Sequence, residues 1–182
     1  MEIREARPDE FARVGELVVE SYAVIDPIGL GDYADELRDV AGRAGGAEVL
    51  VAVDDDGSLL GAVTYVPGPD SPSAEFDDAD GAGIRMLAVG LKAQGRGVGR
   101  ALVEACLDRA RAAGKAQVVL HTTDWMTTAH RLYARLGFER DASIDWKPGR
   151  DEAEEVFWLR GFRLRFADAE QGTGQGTADR AR

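Results

Sequence analysis

The stretch from Ile84 to Ala113 limits what this chain can fold into more than any other. The apolar run Ile84-Arg-Met-Leu-Ala-Val89 reads as a buried strand. After a short connection, Gln94-Gly95-Arg96-Gly97-Val98-Gly99-Arg100 opens a helix that the apolar spacing carries from about Gly97 to Ala113. Three alternating glycines weaken a helix start, because each is roughly 1 kcal/mol worse than alanine there. What such a start offers in return is free backbone. The first amides of a helix have no partner within it and carry partial positive charge, so they hold anionic oxygens. Glycines without Cβ let the chain close around the anion, and Lys92, Arg96 and Arg100 add charge nearby. A dinucleotide fingerprint is excluded, since the sixth position counted from Gly95 is Arg100 rather than glycine, and no Gly-Lys-Ser/Thr phosphate loop is present. A glycine-rich connector without a ligand is the remaining alternative.

The elements around this segment follow from hydrophobic period and turn residues. Residues 2–6 form a short strand, and Pro8, Asp9 and Glu10 suit the first turn of a helix continued by Phe11, Val14, Leu17, Val18 and Tyr22. Pro27, Gly29 and Gly31 end it, and a second helix is expected over 32–43. Residues 48–53 and 59–66 make a hairpin across Asp54-Asp55-Asp56-Gly57. Residues 67–83 form a long acidic loop of the kind that often has a function. Beyond the central helix, which Gly114 caps, come a strand over 116–122, a helix over 126–136 capped by Gly137, a strand starting at Phe138 and a last strand over 156–165. The order β α α β β β α β α β β predicts an α/β fold, a mixed sheet with helices on both faces, as one domain over residues 1–166. Residues 167–182 lack an apolar anchor and are expected to be disordered.

Composition narrows the function. The net charge of −11 among 182 residues argues against a nucleic-acid partner. No apolar run approaches the roughly 18–20 residues of a membrane span, and the polar start MEIREARPDE does not read as a signal peptide, so a cytoplasmic location is expected. One cysteine, Cys106, and two histidines, His121 and His130, supply metal chemistry poorly, and no metal site is expected. Residues 1–83 hold 20 acids and 5 bases; residues 84–182 hold 13 acids and 17 bases. The second half could meet an anionic cofactor and the first attract a cationic substrate, although charge alone favours the simpler reading that the acidic surface only keeps the chain in solution.

With these residues on the page, Gln94-x-x-Gly97-x-Gly99 resembles the pyrophosphate-binding motif of the GNAT superfamily of acyl-CoA-dependent N-acetyltransferases. Met86-Leu87-Ala88-Val89 looks like that family's strand for the pantetheine arm, and Ala129-x-x-Leu132-Tyr133-x-x-Leu136-Gly137-Phe138 resembles its following helix and strand. The motifs cover residues 84–140, and the element order extends the likeness over 1–166. The resemblance implies a mostly antiparallel central sheet and acetyl-CoA as cosubstrate. The backbone of Leu87 and Val89 would meet the pantetheine amides, and an amide near Leu87 or Ala88 would polarise the thioester carbonyl. The amides of Gln94, Gly95, Arg96, Gly97, Val98 and Gly99 would cradle the pyrophosphate, with Arg100 beside them. Tyr133 matches the family tyrosine that protonates the CoA sulfur. An amine, on a small molecule or a peptide, would be the acceptor, attacking directly in a ternary complex. Relatives often form homodimers. Loss of catalysis in an acyl-CoA-binding module is the alternative reading.

The general base is open. Relatives often carry glutamate at the start of the cofactor strand, where this chain has Gly83. Glu75, Asp77, Asp78 and Asp80 in the preceding loop are candidates through water, each more simply read as a solvated acid, and His121 is a lesser one. His130 reads as exposed, and Asp124 as a cap for the next helix. Met126 stands where many relatives have asparagine, and Trp125, Trp146 and Trp158 either line an acceptor pocket or fill the core.

Overall fold

A computed structural model describes residues 1–26, 29–148 and 157–167. The strands are β1 (Glu2–Glu5), β2 (Glu48–Val53), β3 (Leu59–Val66), β4 (Gly81–Val89), β5 (Gln117–Thr122), β6 (Glu139–Arg140) and β7 (Arg160–Arg165). The α-helices are α1 (Phe11–Ile25), α2 (Tyr33–Arg38), α3 (Val40–Ala44), α4 (Val98–Ala112) and α5 (Thr127–Arg135). The strands form one sheet in the order β1-β2-β3-β4-β5-β7-β6. Only the β4–β5 pair is parallel. The mixed, mostly antiparallel sheet with helices on both faces is the expected fold class.

Each face of the sheet carries its own core, and β2 shows why. Its residues are nearly all buried, with alternate side chains going to opposite faces. Leu50 and Ala52 pack with Val98, Leu102, Cys106 and Ala110 of α4, while Val49, Val51 and Val53 pack with Val14 and Val18 of α1 and with Leu37 and Val40. Cys106 is fully buried, and burial pushes its thiol pKa up.

Three boundaries differ from the sequence reading. The helix expected over 32–43 is broken at Asp39 (φ −74°, ψ 66°), whose carboxylate turns inward to accept from the Gly42 amide at 2.8 Å. That local bond competes with helix continuation. β4 starts at Gly81, so three residues assigned to the acidic loop join the sheet beside Gln117, Val118 and Val119. The last strand starts at Arg160; its expected first residue, Val156, and the tail over 168–182 lie outside the described residues.

β4 carries a bulge that the sequence does not announce. Ala62 faces Ala88 and Thr64 faces Arg85, so Met86 and Leu87 together oppose Val63 alone. Met86 has φ +53°, the only non-glycine residue in the left-handed region among those described. Its position costs backbone energy and is the usual mark of a bulge next to a site.

Two outcomes follow from these contacts. A Cβ on Gly61 would lie 2.7 Å from the carbonyl oxygen of Ala88, across from the bulge, with Val98 and Leu102 close behind. Gly61→Ala is therefore expected to lower unfolding stability by about 1–3 kcal/mol, measured in urea. Glu10 receives Arg4 through two bonds of 2.8 and 2.7 Å, tying β1 to the turn before α1. The Arg4 hydrogen bonds hold its carboxyl down from 4.5 to about 2, against a smaller desolvation penalty. A lowered folded pKa means that this contribution is complete above pH 4.5 and disappears as pH falls towards 2. Wild-type and Glu10→Gln stabilities are expected to differ at pH 6 and to converge near pH 2 in acid-titration unfolding.

Candidate active site

The site begins where two parallel strands part. β4 and β5 pair from Gly81–Gln117 to Ile84–Leu120, and beyond those rungs they share none among the described residues. β4 runs on to Val89 along β3, while β5 runs on to Thr122 along β7. The bulge at Met86 and Leu87 falls just past the last shared rung. Leu87 and Val89 thus lie on a length of β4 that has lost its β5 neighbour, as a strand offering backbone to a ligand must.

Val89 leads to the helix mouth. Gly95 and Gly97 have φ of +77° and +80°, and Gly97 is the cap residue of α4. A Cβ on either would meet nothing within 4 Å, so conformation and not crowding requires glycine there. The first helical bond is donated by Ala101 to the Gly97 carbonyl at 3.0 Å, and the amides of Val98, Gly99 and Arg100 precede it. Gly99 touches both flanks: its Cβ position lies 3.4 Å from Val89 Cγ2 and 3.5 Å from Leu132 Cδ2 of α5. The structure therefore gathers the strand, the glycines and α5 into one place. Gln94, Gly95, Arg96, Gly97 and Arg100 are exposed, and Val98 is buried as the helix anchor.

The arginines at the mouth are already paired. Arg96 reaches back to Asp54 in the β2–β3 turn at 2.8 Å, and Arg100 bonds Glu104 at 2.8 Å. Both pairs are exposed, where such contacts are weak and are readily exchanged for another anion.

Tyr133 is buried, its ring against Phe138 and Phe162 at centroid distances of 5.7 and 6.4 Å. Burial pushes its hydroxyl pKa well up, so at neutral pH it carries its proton. Its charge would be felt by Tyr22 of α1, whose own hydroxyl is pushed up mainly by burial.

On the other side of the bulge lies a cavity of about 620 Å³. Ile84, Arg85 and Met86 form its floor, α1 and α2 contribute Tyr22, Tyr33 and Glu36, and β5 and the segment after it contribute His121, Thr123, Trp125 and Met126. Trp146 and Phe157 complete an aromatic wall, and Asp26 and Asp32 add carboxylates. Glu75 reaches in from the acidic loop. Its Oε1 accepts from Arg85 Nη2 at 2.7 Å, and its Oε2 lies 3.3 Å from His121 Nδ1. Arg85 also bonds Glu36 at 3.1 Å.

Other candidates go elsewhere. Asp78 is taken by Gln117 and by the Asp80 amide, and Asp77 and Asp80 are exposed. Asp124 does not cap α5, whose cap position is Met126; it makes two 2.8 Å bonds to Arg160. His130 is half-buried rather than exposed, bonded to the Thr123 carbonyl at 2.9 Å and stacked near Phe162. Trp158 is exposed, while Trp125 and Trp146 line the cavity. The sequence reading passed over Arg85, although a charged residue inside an apolar strand was the available signal. It also treated Tyr22 as core. Among the described residues, no group of three or more His, Cys, Asp and Glu is placed to hold a metal ion, and no helix is long and apolar enough to cross a membrane.

The helix mouth admits a direct test. Alanine at position 97 must adopt a left-handed conformation costing about 1–2 kcal/mol, whereas asparagine tolerates it better. Gly97→Ala is expected to speed amide exchange at Ala101, Leu102 and Val103, the first amides bonded within the helix, and to lower stability, with Gly97→Asn intermediate between it and wild type.

Comparison with known proteins places these features together. The chain matches the acetyltransferase (GNAT) family over residues 11–138. It is 34% identical over 113 residues to YhbS, an uncharacterised N-acetyltransferase of Escherichia coli K12, covering 60% of this chain and 62% of that protein. Mycothiol acetyltransferase of Geodermatophilus obscurus is 34% identical over 87 residues, covering 47% of this chain and 26% of that protein. The chain therefore spans less than two thirds of the length of these curated relatives. The structure of yncA from Salmonella typhimurium, solved with its cofactor acetyl-CoA, shares the fold with a TM-score of 0.67 at 21% identity, covering 93% of this chain and 95% of that one. Because the family match takes in the splayed strand, the helix mouth and α5 with its tyrosine, the chain belongs to the GNAT family of acetyltransferases.

Proposed function

We propose that this chain transfers an acetyl group from acetyl-CoA to the amine of a small molecule or peptide, with both substrates bound together. The observation that carries this reading is that one strand, β4, serves two sites. Its Val89 end packs on the glycine-lined helix mouth, and its Ile84–Met86 stretch floors the cavity.

The residues fit acetyl-CoA as donor. Amides between Gln94 and Gly99, of which that of Arg96 already donates to the Ala93 carbonyl at 3.4 Å, suit a diphosphate with Arg100 after them, and open space around Gly95 and Gly97 leaves room for it. Leu87 and Val89 offer unshared strand backbone to an extended amide-bearing arm. A backbone amide next to the bulge, at Leu87 or Ala88, is re-aimed by it and suits a thioester carbonyl. The acetyl-CoA bound to yncA supports this choice of donor. On the acceptor side, Asp26, Asp32 and Glu36 attract a cationic amine, and aromatic rings suit its carbon body. Tyr133, held protonated by burial, serves as the acid for the departing sulfur.

The second reading, an acyl-CoA-binding module without transfer, draws on Gly83. A Cβ there would lie 2.6 Å from Phe76 Cε1, so the Phe76 ring occupies the place a glutamate side chain would need and would have to move to admit one. Calorimetric titration with acetyl-CoA, followed by transfer assays over a panel of alkylamines, arylamines and peptide amines, separates the two. Transfer to any amine is expected, and Tyr133→Phe is expected to lower turnover by about 10²-fold while leaving acetyl-CoA binding unchanged. Tight binding with no transfer to any amine would support the module instead.

A further inference from the structure

The cavity brings a carboxylate oxygen of Glu75 and an imidazole nitrogen of His121 to 3.3 Å from each other. We infer that Glu75 is the catalytic base that takes the proton from the acceptor amine, and that His121 is the positioning residue that receives it from Glu75. This rests on the reading of the chain as an acetyltransferase.

Four observations carry it. Phe76 fills the space beside Gly83, where the strand carries no acid, and Glu75, its neighbour in the chain, turns into the cavity. Arg85 fixes the carboxylate through Oε1 at 2.7 Å and also donates to the Ser73 carbonyl at 3.3 Å, pinning the loop that carries it. His121, only 3% exposed, places Nε2 2.8 Å from the Ile144 carbonyl. A carbonyl only accepts, so Nε2 bears the hydrogen and Nδ1 is the atom presented to Glu75 Oε2 at 3.3 Å. In the neutral ring that nitrogen is a lone pair facing a carboxylate; a proton arriving between them turns the contact attractive.

The transfer balances as follows. An ammonium acceptor loses one proton to Glu75, which shares it with His121 Nδ1 and then releases it to solvent through the cavity that Glu75 lines. The freed lone pair on nitrogen forms a bond to the acetyl carbon, and the carbon–sulfur bond breaks with its electron pair going to sulfur. Sulfur takes a proton from Tyr133, and the second nitrogen proton restores that tyrosine through solvent. The charged and titratable groups facing the Glu75–His121 pair are Arg85 of β4, Glu36 and Tyr33 of α2, and Tyr22 of α1, with Asp26 and Asp32 also on the cavity.

The test compares two kinds of amine on the 182-residue chain with acetyl-CoA: an alkylamine, protonated at pH 7, and an arylamine, already neutral. Glu75→Gln is expected to lower kcat/KM for the alkylamine about 10²-fold and for the arylamine less than about 10-fold. The alkylamine deficit should shrink as pH approaches the amine's own pKa. His121→Gln keeps a donor for the Ile144 carbonyl but removes Nδ1, and a smaller loss in the same direction is expected. Formate added to Glu75→Ala should restore alkylamine transfer, which guards against a folding defect in any one variant. Equal losses for both amines, or no loss, overturn the assignment while wild-type transfer stands. If wild type itself transfers to neither amine nor binds acetyl-CoA, the acetyltransferase reading falls and takes this assignment with it.

Discussion

The structure turns on one extra residue in β4. In an unbroken strand, alternate side chains keep to one face. Here Ala82 and Ile84 belong to the core under α4, yet Met86 and Ala88 belong to the core under α1. Doubling Met86 and Leu87 against Val63 is what exchanges the faces. The same insertion bends β4 away from β5 after Ile84 and Leu120, and the helix mouth and the cavity open on either side of that bend. The strained backbone of Met86 is tolerated because its side chain is buried against α1 partners that hold it from below.

What could be read beforehand was local. Gly97, Gly114 and Gly137 each lie in the left-handed region, and helices begin or end at them as their positions in the chain implied. The alternation in β2 and the Asp-Gly turn after it are also written in consecutive residues. The bulge was not legible, because Ile84 to Val89 is apolar on both faces apart from Arg85, and one charged residue does not reveal a face exchange in such a run. Nor was Glu75 separable from three other acids within six residues; what distinguishes it is Arg85 and His121, which meet it only through sheet pairing. Asp124 misled for the same reason, its partner Arg160 being 36 residues away.

Charge asymmetry between the halves of the chain needs a similar adjustment. The basic second half does not present its surplus to one surface. Arg109 bonds Glu48, Arg160 bonds Asp124 and Asp145, and Arg163 bonds Asp141. Those guanidiniums fasten α4 to the sheet and β7 to its neighbouring loops. In the proposed reading, attraction for an anion at the helix mouth therefore falls chiefly to backbone dipoles.

Phe76 lying in the gap over Gly83 also ties two distant stretches of chain into a single unit of inheritance. Enlarging residue 83 evicts the ring, and the ring's departure drags the adjacent carboxylate off Arg85. Shrinking the ring leaves a void that only a bulkier strand residue refills. The sizes of residues 76 and 83 are therefore coupled, and a change at one calls for a compensating change at the other.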